Sequence, residues 1–501
     1  MFCRQFRLLI NSNRVWLDLA MLWVILWSGM AGFLHAESVR EFGAVGDGVT
    51  DDTASIERAI AETTTGEIQF PRGDYRISRT IEIPLSQTGR ISLDGYGGVG
   101  RVTMAGSGPA FRIVGTHQST ASPEGFTEAT WQHERMPQVC GLEILGSHPE
   151  ADGIEFVRVM QPTLIGVLIR EVRNGIVLST RNRNLLIDSC HIYNCSGIGV
   201  FFDRVNLHQA IIHGSHISYC KGGGIKIVDG EIRNFQITGN DIEYNFDPDA
   251  EQSADIWFDI PNGTVAEGTI SSNTIQAKVS PGGANIRFIG PEAASHPTPM
   301  SMWTISGNII GSQTVNMHLV RCRGMAITGN HIYSGNDRTM VLEDCQNIVV
   351  GTNSLDQSHS RGRGFSNGIT VRNSRGVAID TLVLDDCGAG TESAGGAVEV
   401  FDSREVTIRN CQIANPHVRG IWASGTRNLQ VVGNTIVQDG ENISDTQGDS
   451  DAGASRMIAA IEIQQPTGTT LVRDNLVTEG TRGGVVADDA KIHLRGNESA
   501  D

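Results

Sequence analysis

Along most of the chain, apolar and polar residues alternate with a period of two, in short phrases that keep returning. One phrase reads QITGNDI at 236–242, TISSNTI at 269–275, TISGNII at 304–310, AITGNHI at 326–332 and VVGNTI at 431–436. A second, of the form Gly-Ile-x-Val, follows a few residues later, as in GIKI at 224–227 and GITV at 368–371. Such alternation marks strands with one buried face, and helical spacing at i, i+3 and i+4 is missing from both phrases. Aligned on Asn240, the first phrase defines a column through Leu142, Val167, Cys190, Ser215, Asn240, Asn273, Asn308, Asn330, Asn353, Leu382, Cys411, Asn434, Asn475 and Asn497. Many of its steps are 22 to 25 residues long. Two or three strands per coil, with glycine at the corners, predict an all-β fold, a single-stranded right-handed parallel β-helix. The column asparagine is expected at a corner, where it tolerates the left-handed backbone and its amide bonds to the Asn one coil above and below. Its role is stability, not catalysis.

A solenoid grows in one dimension and needs no second core. The 501 residues therefore read as one β-helix domain over 37–501, with a cap at 37–80 and regular coils over 138–501. Residues 1–36 form an export signal: Arg4, Arg7 and Arg14 precede an apolar run at 19–34, and Ala36 is small enough to precede a cleavage site. An uncleaved anchor is the other reading, because the run is nearly long enough to span a bilayer. Export places the protein outside the cell, in a periplasm or on the cell surface, with no stable membrane insertion once the signal is removed. A net charge of −17 disfavours nucleic acid as a partner.

Of nine cysteines, Cys3 leaves with the signal. Cys195 and Cys220 are expected to stack on neighbouring coils, as are Cys322 and Cys345. Adjacent strands lie about 4.8 Å apart, within disulfide range, so bridges and stacked free thiols both remain open. No Cys/His spacing reads as a zinc site.

The segment at 38–61, SVREFGAVGDGVTDDTASIERAIA, is the most specific local signal. Gly43, Gly46 and Gly48 make turns, Asp51 or Asp52 caps a helix, and Ile56, Ala59 and Ile60 give that helix one apolar stripe. A short amphipathic helix is a natural plug for the open end of a stack of strands. This segment, continued by IQFPRGDYRIS at 68–78, closely resembles the N-terminal signature of the pectate lyase superfamily in its rhamnogalacturonase and epimerase-like branch. The family pattern Phe-Gly-Ala-x-Gly-Asp-Gly-x-x-Asp-Asp-Thr is matched at 42–53, and Phe-Pro-x-Gly-x-Tyr at 70–75. The resemblance implies a right-handed parallel β-helix, usually exported and acting on polysaccharide. Asp47, Asp51 and Asp52 are read as structural, not catalytic.

Breaks in the coil pattern fall at 116–137, with Trp131 and His133, and at 246–254, 290–299, 356–365 and 439–456. Long loops on a solenoid gather on one side and wall a groove. Asp445, Asp449 and Asp451 in the last loop have carboxylates that can hold calcium, but the loop lacks the glycine and closing glutamate of a calcium-loop motif, so no specific motif indicates a cofactor or metal.

In a Gly-Ile-x-Val strand the intervening residues face outward. Coil by coil they form one stripe: Glu155, Val177, Gly199 with Phe201, Lys226, Trp257 with Asp259, Arg287, His318, Val341 with Glu343, Thr370 with Arg372, Glu399 with Phe401, Trp422, Glu462 with Gln464, and Val486. Outward Phe201, Trp257 and Trp422 invite cover, and the C–H faces of a sugar pack on such rings. Phe201, Lys226, Trp257, Asp259, Arg372 and Trp422 are the expected substrate-binding residues. Arg287, His318, Glu343 and Glu399 are the expected catalytic ones.

Two chemistries are open. In β-elimination on a uronate, His318, Arg287 or Lys226 supplies the base and the cation, and Glu343 orients the histidine. In hydrolysis, Glu343 and Glu399 flank the bond, two coils and about 10 Å apart, a little beyond the usual inverting separation. The Asn-Thr-Asp, Asp-Asp, Gly-His-Gly and Arg-Ile-Lys patterns of the polygalacturonase branch are not reproduced on the stripe, which argues against that activity. The favoured reading is an exported, monomeric polysaccharide-degrading enzyme, lyase ahead of glycoside hydrolase. The rivals are a non-catalytic carbohydrate-binding surface solenoid and a trimeric fibre.

Overall fold

The computed structural model describes residues 36–119, 123–292, 299–356, 368–385, 387, 395–438, 457–487 and 489–500. Its strands wind into a right-handed parallel β-helix of about 16 turns, paired rung to rung in parallel register. The export signal and the 439–456 loop with its three aspartates lie outside the described residues.

The core follows from the alternation. One inward column runs Ile187, Ile212, Ile237, Ile270, Ile305 and Ile327 on successive rungs, all fully buried. Burying each such side chain is worth about 1.5–3 kcal/mol. Midway, the Phe258 and Phe288 rings stack 4.3 Å apart, and Trp303 packs 5.3 Å from both.

The asparagine column is a ladder. Asn240 Nδ2 donates to Asn273 Oδ1 (3.0 Å), Asn273 to Asn308 (2.9 Å), Asn308 to Asn330 (2.9 Å) and Asn330 to Asn353 (3.0 Å). It resumes from Asn434 to Asn475 and on to Asn497. One detail of the expectation is corrected. The left-handed residue is the one before each asparagine, as at Gly239 (φ 67°), Ser272 (φ 57°), Gly307 (φ 66°) and Thr352 (φ 54°). The turn thus made points the asparagine inward, where its amide bonds the buried backbone carbonyls.

A second internal ladder reverses direction at Asp255. Asn245 Nδ2 donates to Asp255 Oδ1 (3.1 Å) from one side, and Asn285 Nδ2 to Oδ2 (3.0 Å) from the other. Asn316 in turn donates to Asn285. Two donor runs that converge need a residue able to accept on both oxygens, which Asn cannot do. Asp255 is fully buried; burial pushes its pKa up to about 8, against the opposing pull of the Asn245 and Asn285 hydrogen bonds. A carboxyl raised in the folded state contributes stability that is full below its ordinary value of 3.8 and is lost as pH rises through about 8. The wild-type thermal midpoint is therefore expected to fall between about pH 6 and about pH 9. Asp255→Asn sets one amide N–H₂ against Asn285 and costs about 1–3 kcal/mol near pH 6. Melting curves at both pH values check this: the gap between the two proteins should narrow at high pH, and a constant gap would refute the assignment.

The cysteines stack where the spacing places them, Cys195 with Cys220 and Cys322 with Cys345, close enough for thiol–thiol hydrogen bonds. They are free thiols: all eight described cysteines are unbridged.

At the N-terminal end the helix Thr53–Glu62 buries Thr53, Ile56, Ala59 and Ile60. Asp52 holds the N-cap position but makes no cap bond; its carboxylate instead accepts from the Val45 and Gly46 N–H groups (2.7 and 3.0 Å) and ties down the glycine-rich turn. Asp51 accepts from the Ser78 hydroxyl (2.6 Å) and the Thr53 hydroxyl (2.5 Å), and these side-chain bonds, that of Ser78 first, hold its pKa at about 2, with the Thr53 N–H (3.1 Å) adding to them. Asp47 is likewise taken up by Val49 and Thr50. All three carboxylates are engaged in local structure.

Candidate functional site

Strand register assembles the outward stripe into two parallel columns. In the first, Glu155, Val177, Phe201, Lys226, Trp257, Arg287, His318, Val341, Thr370, Glu399, Trp422, Glu462 and Val486 are paired rung to rung without a gap. In the second, Asp259 leads through Ile289 and Val320 to Glu343, Arg372 and Phe401. Every residue expected at the site falls in one of these columns.

The insertion after 245 leads into the column strand Ser253–Asp259, and the described part of the insertion at 116–137 follows the column strand Gly108–Val114. The insertions at 290–299, 356–365 and 439–456 lie largely or wholly outside the described residues.

The upper half of the columns, towards the N-terminus, is cationic. Lys226 Nζ sits 3.5 Å from the centre of the Trp257 ring, and the Arg287 guanidinium lies 5.6 Å from the same ring. The Trp257 ring thus meets one cation from the rung before it and another from the rung after it. Arg287 is buried, and only Nη2 finds a partner, donating to the Gly282 carbonyl (2.5 Å), while Nε and Nη1 have none. Burial pulls the Arg287 pKa down to about 10, partly countered by Asp259; burial likewise lowers that of Lys226. His318, one rung on, lies 3.6 Å through Nε2 from Glu343 Oε2. Burial, then the neighbouring Arg287 charge, depress its pKa despite the opposing pull of Glu343. Both effects favour the neutral imidazole.

The lower half closes into a pocket of about 480 Å³ lined by Arg338, Glu343, Arg372, Glu399, Phe401 and Trp422, with Val341, Thr370 and Gly395. Its floor is structural in character. Glu399 is paired with Arg338 and accepts from the Thr370 hydroxyl (3.0 Å) and the Gly396 N–H (3.1 Å). Both carboxylate oxygens are occupied. Trp422 meets Phe401 edge-on at 4.9 Å, Arg372 lies 5.5 Å from the Phe401 ring, and Arg419 lies 4.9 Å from the Trp422 ring.

Arg338 and Arg419 escaped the sequence reading. Each stands three residues before a column residue, Val341 or Trp422, outside the Gly-Ile-x-Val phrase. Each reaches a column glutamate farther along, Glu399 or Glu462. The available signal was an outward glutamate on a coil near an arginine at that offset.

Fold and register together define a right-handed β-helix protein, and the family model described as "Right handed beta helix region" matches 146–275, 262–436 and 359–499. The chain belongs to that family. Its N-terminal part, 36–134, matches "Rhamnogalacturonase A/epimerase, pectate lyase-like", in agreement with the signature at 38–78. Among curated proteins, the pre-neck appendage protein of Bacillus phage B103 is 47% identical over 47 residues, 9% of this chain and 5% of that protein. Mannuronan C5-epimerase AlgE4 of Azotobacter vinelandii is 46% identical over 48 residues, 9% of each. The chain thus matches less than a tenth of the length of either relative. Among solved structures, the N-terminal fragment of bacteriophage Phi29 gene product 12 aligns with TM-score 0.50 and 14% identity over 91% of this chain and 74% of that one; this likeness is one of fold.

Proposed function

We propose that this chain is a carbohydrate-active β-helix protein that acts outside the cytoplasm, binds a linear acidic polysaccharide along the Lys226–Trp422 columns and cleaves it by β-elimination. The observation that carries the reading is the pairing of Arg287 with His318. A buried guanidinium with two unpartnered N–H groups suits a carboxylate, and the adjacent imidazole is neutral and free to take a proton. With a uronate carboxylate on Arg287 and Lys226, His318 removes the proton beside it. The electron pair forms a double bond as the bond to the neighbouring glycosidic oxygen breaks, that oxygen leaves with the bonding pair and takes a proton from solvent water, and the cations hold the charge that develops on the carboxylate. Glu343 orients His318, while Asp259 balances Lys226 and Arg287. Arg372, Trp422 and Phe201 extend the contact surface, and Glu399 shapes the pocket through Arg338. Hydrolysis is the weaker reading because Glu399 has no free oxygen to offer a leaving group.

Removal of the same proton also begins C5 epimerisation, the activity named for the Azotobacter vinelandii relatives. The test is incubation of the purified protein with polymannuronate, polygalacturonate and sulfated glycans. New ultraviolet absorbance from an unsaturated sugar supports elimination. Altered uronate composition without chain scission shifts the reading to epimerisation, and reducing ends without absorbance shift it to hydrolysis. No change in any glycan, with binding retained, leaves the non-catalytic carbohydrate-binding protein.

A further inference from the structure

Round the corner from the groove, a different column is basic. The groove strand Val398–Phe401 ends, Asp402 turns left-handed (φ 49°), and the strand Arg404–Arg409 starts an adjoining face. The first residue of that strand belongs to a column that contains Arg183, Arg233, Arg323, Arg375, Arg404 and Arg427. The positions between them are His208, Ala266, Ser301 and Gln346, so over ten rungs the column holds no carboxylate. The chain has 56 Asp and Glu against 39 Lys and Arg, so an acid-free basic column runs against its composition.

Arg375, Arg404 and Arg427 occupy three consecutive rungs, and all are exposed. Adjacent rungs lie about 4.8 Å apart, and like charges in direct lateral register repel. Glu405, on the next position of its strand, bonds Arg375 (2.9 Å) and is itself held below the usual carboxylate range by that bond. One carboxylate against three guanidinium groups leaves the edge positive. The path is also cleared for Arg427: a Cβ on Gly468 would lie 2.3 Å from its Cγ.

We propose that this arginine edge binds a linear polyanionic glycan, independently of the groove. A row of planar fork donors at rung spacing matches carboxylates or sulfates repeated along an extended sugar chain, each taken bidentately. Guanidinium groups do not titrate in the working range, so the capture is insensitive to pH where a histidine-dependent groove is not. An acidic body with one basic edge favours a thin polymer that touches only that edge; a duplex or an anionic membrane would meet the surrounding negative field.

The test is chromatography of the full chain on immobilised heparin in low salt, with a rising salt gradient. Wild type is expected to be retained, the Arg375→Gln/Arg404→Gln/Arg427→Gln variant to elute at much lower salt with an unchanged melting curve, and the matching triple Lys variant to keep most of the retention. A Trp257→Ala/Arg287→Ala variant, which removes only the groove's share, is expected to elute far closer to wild type than the Gln variant does, which separates this surface from the groove. Wild type in the flow-through, equal elution of the Gln variant, loss of retention in the groove variant, or equally strong capture of duplex DNA or phosphatidylserine vesicles would each overturn the proposal.

Discussion

His318→Ala is expected to lower the turnover of acidic polysaccharide by about 10²–10⁴-fold, the usual worth of a positioned general base, while binding of the polymer changes little. The base must be neutral to work, and two features of the column keep it so. Burial removes water from the charged form, and Arg287 on the adjacent rung repels a second positive charge. Activity should therefore stay level as pH falls through the ordinary histidine value of 6.5 and decline only below it. Glu343 is the group that pulls the other way. Glu343→Gln should move the acidic limb lower still and reduce the rate less than His318→Ala does, as befits a positioning residue. Initial rates of unsaturated product against pH read both effects; a His318→Ala protein with wild-type turnover would remove the proposed base.

Much of this site was legible because a β-helix converts sequence period into address. Once the Gly-Ile-x-Val phrases were aligned, Lys226, Trp257, Arg287 and His318 could only fall on consecutive rungs of one outer face, and the register puts them there. The asparagine ladder was legible for the same reason. What alignment does not carry is side-chain reach and backbone conformation within the corner. The left-handed turn falls on Gly239 or Thr352 rather than on the asparagine that follows, because the turn is what aims the amide inward. Trp257 reads as an open sugar platform until the length of the Lys226 side chain is considered, which lets its ammonium lie on the ring one rung away. Asp255 looks like any strand residue; its special position depends on two ladders meeting head-on, which no local pattern records.

The largest stability effect is expected at the pair that closes the lower end of the groove. Arg419 Nε donates to Glu462 Oε2 (2.5 Å) with both side chains buried, and Arg419 also donates to the Gly395 carbonyl (3.1 Å). Burial pushes the Glu462 pKa up, but the bonds from Arg419 and Gln464 outweigh it and leave the group below the usual range. Its contribution is therefore present above the ordinary glutamate value and is lost as pH falls through the depressed one. Removing Arg419 leaves the buried Glu462 carboxylate only the half-exposed Arg482 and the Gln464 amide as partners, so Arg419→Ala should cost about 3 kcal/mol, read as a large drop in thermal midpoint near neutral pH. Arg482 also reaches Glu462 (3.0 Å), but it is half exposed, and Arg482→Ala should cost no more than about 1 kcal/mol. Replacing both buried partners, as Arg419→Met with Glu462→Leu, should recover most of the loss, because the apolar pair pays no desolvation penalty. If Arg419→Ala melts with wild type, the pair does not lock the rung that carries Trp422. If instead the double replacement remains as unstable as the single one, the lost packing against Trp422 rather than the stranded charge is what that rung depends on.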